Sequence, residues 1–302
     1  MNLFIRKIIE IIENLIGFFI MFKIRQIKIV DFGKIPIYPE IGKDTAIVLQ
    51  GPILEKNDFT FETVKLYRHL FPNMKIIIST WKGVNNSLET KFKDKNIVLL
   101  QSEKPFFTGH SNINLQITST AVGLSYAKQS GCRFVLKSRT DQRINSFTNY
   151  FDYFEQLIDA FPIKNQKLQS RLIVCNLNMF RNRHYIVSDM FMFGNINDML
   201  LYWNLPHQQL IREYDRSKSF LENNTAEAYF VNSFQENVNF KPIGTYEDSK
   251  IFFEKFFYLI DKSIIDLFWY KYNHNYERTI IWVDDQLDFP HSTVGFIPNN
   301  GK

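Results

Sequence analysis

The stretch FVLKSRTDQRI, residues 134–144, joins a short apolar run to three charged side chains. The apolar part predicts a buried strand, and Arg139, Asp141 and Arg143 follow at alternate positions where that strand ends. Charges of both signs at a strand end are typical either of ion pairs on the surface or of a ligand site at the edge of a sheet. The sequence on both sides of the stretch bears on that choice.

The sequence before this stretch alternates between apolar runs and helical segments. Strands are predicted at TAIVLQGPIL (45–54), MKIIISTW (74–81) and NIVLLQSE (96–103), and helices at 60–71 and 112–131. Near-continuous apolar strands separated by helices predict a mostly parallel sheet that is covered on both faces. We therefore expect an α/β fold with a Rossmann-type sheet flanked by helices.

The sequence after the stretch is less regular. Helices are predicted at 147–161, 223–237 and 249–273, a strand at 171–178, and a strand or hairpin running into a helix at 185–200. The density of Phe in the last of the three helical segments is also compatible with a strand. No change in composition marks the start of a second domain.

We therefore expect one domain over residues 41–302, preceded by a separate segment over residues 1–40. Within the domain, we expect residues 45–145 to form the half that binds a nucleotide and residues 146–302 to form the half that faces an acceptor.

The composition fits a globular protein, since 45% of the 302 residues are hydrophobic and 22% are charged. The net charge of +5 is mild and permits an anionic partner without choosing one. Cys132 and Cys175 lack metal-ligand spacing and indicate buried thiols in a reducing compartment.

The segment over residues 1–40 predicts an amphipathic helix. Its longest uncharged run, residues 14–22, is about half of what a bilayer span needs, and it lacks the small-residue cleavage site of a signal peptide. A wide apolar face followed by Lys23, Arg25 and Lys28 is typical of a helix that lies on an anionic membrane surface. The alternative is docking on the protein itself or on a second copy, and we favour the membrane.

Polar clusters also follow the first two predicted strands. In an open parallel sheet, ligands bind beyond the carboxyl ends of the strands. We therefore expect a ligand at Gln50, Gly51 and Pro52 and at Thr80 and Trp81, since Gly51 permits close approach to the backbone and Trp81 covers a base or a sugar.

The glycine-rich phosphate loops of P-loop and dinucleotide-binding proteins do not occur in the sequence. Arginines and a metal-binding carboxylate are the remaining means of holding phosphate. We expect Arg139 and Arg143 to neutralise a diphosphate, and Asp141 to hold a divalent cation or a sugar hydroxyl.

Five blocks in order, covering most of residues 45–200, resemble the WavE family of lipopolysaccharide-synthesis proteins. The blocks are IVLQGPI (47–53), ETVKLYRHLFPNMKIIISTWKG (62–83), NINLQITSTAVGL (112–124), FVLKSRTDQRI (134–144) and SDMFMFG (188–194). The resemblance implies a bacterial glycosyltransferase of GT-A type that moves a sugar from a nucleotide-activated donor to lipopolysaccharide, lipooligosaccharide or capsular polysaccharide. It also implies a hexosyltransferase type of activity.

GT-A proteins place an Asp-x-Asp motif after the fourth strand, where it binds a divalent metal and the donor diphosphate. This chain reads Arg139-Thr140-Asp141 at that place. The resemblance therefore implies Mg²⁺ or Mn²⁺ at Asp141 only if diphosphate oxygens and further ligands complete its coordination. Arg139 offers the alternative of direct charge.

The resemblance further implies a catalytic base on the acceptor side. Asp189 is the first candidate, because SDMFMFG (188–194) lies where a GT-A chain returns to the sheet, and Glu227 is the second. Asp141 is the third residue that we assign to catalysis. The expected partners are the nucleotide-sugar donor, a glycolipid or polysaccharide acceptor, and the membrane surface.

The expected location is cytoplasmic and peripheral, on the inner face of the bacterial inner membrane. Two rival functions use the same fold: a sugar- or polyol-phosphate transferase of surface polymer synthesis, and a non-catalytic membrane-bound assembly protein. Nucleic-acid binding ranks last, because no basic run interleaved with aromatic residues occurs.

Overall fold

The computed structural model describes residues 7–8, 11–12, 14–15, 17, 25–163, 167–177, 179, 184–209 and 226–272. The helices are α1 (Phe59–Leu70), α2 (Asn86–Lys93), α3 (Ile113–Gln129), α4 (Tyr150–Ala160), α5 (Ile196–Trp203), α6 (Ala226–Asn237) and α7 (Tyr246–Phe256). The strands are β1 (Thr45–Gln50), β2 (Lys75–Trp81), β3 (Val98–Ser102), β4 (Phe134–Arg139), β5 (Gln142–Ile144), β6 (Leu172–Cys175), β7 (Met192–Asn195), β8 (Phe257–Ile260) and β9 (Leu267–Trp269).

Seven of these strands form one sheet in the order β3-β2-β1-β4-β7-β6-β8. Strands β1, β2, β3 and β4 pair in parallel, β7 runs antiparallel between β4 and β6, and β6 pairs in parallel with β8. The prediction of an α/β fold, with a mostly parallel sheet flanked by helices, is confirmed.

The central strands are buried on both faces, as their near-continuous apolar sequence requires. On β1, Ile47 and Leu49 belong to the hydrophobic cluster on one face, and Ala46 and Val48 belong to the cluster on the other. Helix α3 packs tightly on the second face: a Cβ on Gly123 would lie 2.5 Å from Val48 Cγ1. This glycine lets the helix approach the strand closely.

A second sheet of two short antiparallel strands, β5 and β9, lies just beyond the end of β4. Between β4 and β5 the chain turns at Thr140 and Asp141. Tyr270, directly after β9, donates its backbone N–H to the carbonyl of Asp141 at 3.1 Å. The small sheet therefore brings residues near 269 beside residues near 140.

Three details differ from the sequence-based expectations. The predicted helix over 249–273 is wrong beyond Phe256, where the Phe-rich sequence forms β8 and later β9. Helix α2 was not predicted; Asn85 caps it by accepting from the N–H of Leu88 at 2.8 Å. Thr80 lies inside β2 rather than after it.

Most of the predicted N-terminal helix lies outside the described residues. Residues 7–8, 11–12 and 14–15 are helical, and Ile8, Ile11, Ile12 and Leu15 are exposed. No helix among the described residues is both long enough and apolar enough to cross a bilayer.

Candidate active site

A pocket of about 840 Å³ lies at the carboxyl ends of β1 and β4. This is the edge where a parallel sheet places its ligands. The lining residues are Gln50, Gly51, Pro52, Ile53, Leu54, Trp81, Lys104, Thr108, Ser111, Asn112, Leu115, Gln116, Arg139, Thr140, Asp141, Asp189, Met190, Ala226, Glu227, Trp269 and Lys271. Most of the site residues predicted from the sequence thus meet at one cavity.

The backbone at Gly51 forms the floor of the pocket between two strand ends. Gly51 has a φ of 114°, in the left-handed region that favours glycine, and an added Cβ would lie 3.3 Å from Thr140 Oγ1. The Thr140 hydroxyl donates to the Pro52 carbonyl at 2.6 Å, and the Thr60 hydroxyl donates to the Thr140 carbonyl at 2.8 Å. These bonds hold the end of β1 and the end of β4 in a fixed relation.

Arg139 and Asp141 form a two-point ion pair that faces the pocket. Arg139 Nε lies 2.9 Å from Asp141 Oδ1, and Nη2 lies 3.1 Å from Oδ2. The guanidinium also lies over the Trp269 ring, 5.3 Å from its centre. Burial alone would raise the pKa of Asp141, but Arg139, with smaller contributions from Trp269 and Lys271, lowers it below its usual range. Asp141 is therefore ionised, and Arg139 is held in one orientation.

Asp189 lies beside this pair and also lines the pocket. It is only 5% exposed, and its Oδ2 lies 4.0 Å from Arg139 Nη1. Its backbone carbonyl accepts a hydrogen bond from Nζ of Lys137. Two cations of β4 thus hold Asp189: Lys137 contacts its backbone carbonyl, and Arg139 lies beside its carboxylate.

Lys137 is a residue that sequence reasoning missed. It is fully buried, and its ammonium lies 4.2 Å from the centre of the Trp203 ring. Burial lowers the pKa of Lys137 to about 7, although the charge of Asp189 acts in the opposite direction. The sequence did contain a signal for Lys137: it is a lysine inside an apolar strand, two residues before Arg139, so that both side chains lie on the same face of β4.

The wall opposite the strand ends comes from the loop before α3. Asn114 fixes this loop by donating its side-chain N–H to the Phe107 carbonyl at 3.0 Å and to the Gln208 carbonyl at 2.9 Å. Ser111 and Asn112 have φ values of 52° and 62°, which cost non-glycine residues strain. Such strain at a pocket lining is a feature of ligand sites, and the sequence carries no sign of it.

The remaining wall comes from the second half of the chain. Ala226 and Glu227 enter from the first turn of α6, and Trp269 and Lys271 enter from β9 and the turn that follows it. Both Asp189 and Glu227 raise the pKa of Tyr202, after burial as the main cause, so both carboxylates lie near that buried phenol. The two candidate bases therefore belong to the same part of the pocket.

Two predicted site residues do not line the pocket. Arg143 is fully buried and donates to Thr63 Oγ1 at 2.9 Å and to the carbonyls of Gln26 and Ile27 at 2.7 and 3.0 Å. The expectation that it faces a diphosphate is corrected, because the turn after β4 sends β5 away from the pocket. Thr80, which is 2% exposed, points away from the cavity next to Trp81.

The donor set fits a resident divalent metal poorly. Both oxygens of Asp141 accept from Arg139, and Asp189 lies beside the same guanidinium. Among the residues that the structure describes, no three His, Cys, Asp or Glu side chains form a group that would hold a metal ion. A metal at Asp141 would have to displace a charge-assisted pair.

Comparisons with known proteins identify a matching family and several solved structures of low similarity. The sequence profile of the family described as WavE lipopolysaccharide synthesis matches residues 45–239. No curated protein sequence matches the chain.

Three of these solved structures show how low the similarity is. A cytidylyltransferase from Leptospira borgpetersenii has 9% identity and a TM-score of 0.34, over 55% of this chain and 66% of that one. Mouse xyloside xylosyltransferase 1 has 8% identity and a TM-score of 0.32, over 77% and 91%. Mannose-1-phosphate geranyltransferase from Thermus thermophilus has 12% identity and a TM-score of 0.28, over 44% and 41%. Similarities at this level do not indicate a shared reaction.

Proposed function

This chain belongs to the WavE family of lipopolysaccharide synthesis, and we propose that it is a nucleotide-sugar-dependent glycosyltransferase. Its acceptor is lipopolysaccharide, lipooligosaccharide or capsular polysaccharide, and the sugar that it moves is a hexose. The observation that carries the proposal is the convergence of Gln50–Pro52, Trp81, the Arg139–Asp141 pair and Asp189 on one pocket at the carboxyl edge of the sheet.

The donor binds across the ends of β1, β2 and β4. The open backbone at Gly51 permits close approach, and Trp81 offers a flat apolar face to a base or a sugar. A cavity of about 840 Å³ lies near the upper end of the range for small-molecule sites, which leaves room for a donor and for part of an acceptor.

Transfer needs a stabilised leaving group and an activated hydroxyl. The acceptor oxygen forms a bond to the anomeric carbon, while the bond from that carbon to the diphosphate oxygen breaks and its electron pair stays on the diphosphate. Arg139 stabilises that departing charge, because Asp141 and Trp269 hold its guanidinium in one orientation before the donor arrives. Arg143 has no part in this step, since it lies outside the pocket.

Asp189 takes the proton of the acceptor hydroxyl. It lines the pocket and its position is held by Lys137 and Arg139. Glu227 lines the same cavity from α6 and is the second candidate for the base. Neutral isosteres at the two positions separate the candidates: the variant of the true base loses far more turnover than the other.

The enzyme acts at a membrane surface. Ile8, Ile11, Ile12 and Leu15 are exposed helical residues, and basic residues follow them in the sequence. An apolar face with a basic flank suits an anionic leaflet. The proposed location is therefore the inner face of the bacterial inner membrane, where nucleotide sugars and growing glycolipids meet.

The test is transfer by the full chain from a panel of nucleotide sugars to extracted lipooligosaccharide. The expected products are a glycolipid that is one hexose heavier and a free nucleoside diphosphate, in equal amounts. Release of a nucleoside monophosphate would instead indicate a sugar-phosphate transferase. Failure of every nucleotide sugar to bind or react would contradict the proposal and favour a non-catalytic role.

A further inference from the structure

The two oxygens of Asp141 are already occupied by the protein. Arg139 contacts both of them at 2.9 and 3.1 Å, and against the effect of burial it lowers the pKa of this carboxyl. The guanidinium thus lies where a cation bound to Asp141 would lie. An Asp that holds a metal must instead present an oxygen to the cavity.

Two lysines that the sequence did not single out line the same pocket. Lys271 lies close enough to Asp141 to lower the pKa of its carboxyl, and Lys104 is exposed on the loop after β3. Together with Arg139 they give the lining three cations, and three carboxylates of the same lining, Asp141, Asp189 and Glu227, match them in number. A lysine ammonium or an arginine guanidinium that lines the cavity can donate to the oxygens of a diphosphate.

We infer that Lys104, Arg139 and Lys271 hold the donor diphosphate by direct charge, without a divalent metal ion. The inference rests on the proposed function, since it concerns the same pocket and the same donor. Arg139 contributes a fixed planar donor, while the lysines contribute point charges on flexible stems that adjust to the phosphate oxygens. The three cations come from β4, the loop after β3 and the turn after β9, and all three line the cavity.

Calorimetric titration of the full chain with UDP, GDP, ADP, dTDP and CMP, in EDTA and then in Mn²⁺, tests this inference. We expect at least one nucleoside diphosphate to bind in EDTA, with an affinity that Mn²⁺ changes by less than about threefold. The substitutions Lys104→Met and Lys271→Met should each weaken that binding by about tenfold. The matched control is Lys93→Met, which removes an exposed lysine of α2 outside the pocket and should leave binding unchanged.

The outcomes separate the inference from the proposed function. Binding that requires Mn²⁺, binding of CMP alone, or normal affinity in both pocket lysine variants would overturn the metal-free diphosphate site and leave the transferase proposal standing. Failure of all five nucleotides, and of their sugar conjugates, to bind under either condition would overturn both. Circular dichroism of each variant confirms that a loss of binding reflects the site rather than the fold.

Discussion

Two arginines four residues apart, Arg139 at the end of β4 and Arg143 in β5, lie in opposite surroundings. Arg139 faces the pocket, paired with Asp141 and lying over Trp269. Arg143 is fully buried on the other side of the turn, over the Phe59 ring at 4.5 Å, where it joins α1 to the segment before β1. Charge at a strand end therefore does not separate a guanidinium that lines a pocket from one that is buried among protein partners; the direction of the turn between them does.

The surroundings of the two arginines explain the difference. We call Arg139, Asp141 and Asp189 the pocket cluster. We call Arg143 and its partners in residues 26–27 and 59–63 the anchor cluster. In the anchor cluster, burial lowers the pKa of Arg143 to about 10, and its donors are satisfied by carbonyl and hydroxyl oxygens. A buried guanidinium destabilises the fold strongly if it loses these hydrogen bonds, because its charge is then left without partners.

The largest effect should come from the pocket cluster. Replacing Asp189 by Asn removes the proposed base while it keeps the shape of the side chain, and we expect turnover to fall by about a thousandfold. The melting temperature should change little. Steady-state transfer assays measure the loss, and Asp159→Asn, an exposed change on α4, is the matched control. Turnover within threefold of wild type in folded protein would remove Asp189 from the mechanism.

The anchor cluster should show the opposite pattern. Arg143→Met leaves several buried oxygens without a donor, so we expect the free energy of unfolding to fall by about 3 kcal/mol. Nucleotide affinity measured well below the melting temperature should stay within a few-fold of wild type, because the side chain does not reach the pocket. Urea unfolding and calorimetry give the two values. A variant of normal stability that no longer binds nucleotide would reverse the assignment of the two arginines.

Lys137 is buried like Arg143, but it donates to the backbone carbonyl of Asp189, a residue that lines the pocket. Its pKa is about 7 in the folded protein and near 10.4 in an unfolded chain, so between these values the unfolded state binds more protons. Its contribution to stability should therefore rise with pH from 7 to 9, by up to about 1.4 kcal/mol per pH unit. Unfolding of wild type and Lys137→Met at several pH values measures it. Parallel stability profiles for the two proteins would contradict the shifted pKa.

Much of the first half of the fold was predictable, because its information is local. Strands such as β1 and β2 are near-continuous apolar runs, and the turn at Gly51-Pro52 is visible in the sequence. Their order in the sheet then places the carboxyl ends together. The placement of residues 50–52 and 139–141 at one edge of the sheet could be predicted without further information.

The remainder depends on contacts between distant parts of the chain. Strands β5 and β9 have three residues each, too few for a periodic signal, yet they place Trp269 beside Arg139 and turn Arg143 away. Lys104 and Lys271 resemble any surface lysine in the sequence. The metal-binding role expected for Asp141 rested on its place after a strand and on the resemblance to GT-A proteins, and neither reveals that Arg139 contacts both of its oxygens.

The proposed nucleotide-sugar donor binds between the ends of β1 and β4. Amide hydrogen exchange of the full chain, with and without a saturating nucleoside diphosphate, tests it most directly. We predict slower exchange in peptides that contain residues 50–54, 139–141 and 188–190, and unchanged exchange in the anchor cluster at residues 26–27 and 59–63. Protection confined to other surfaces, or no protection under conditions where calorimetry shows binding, would contradict the account.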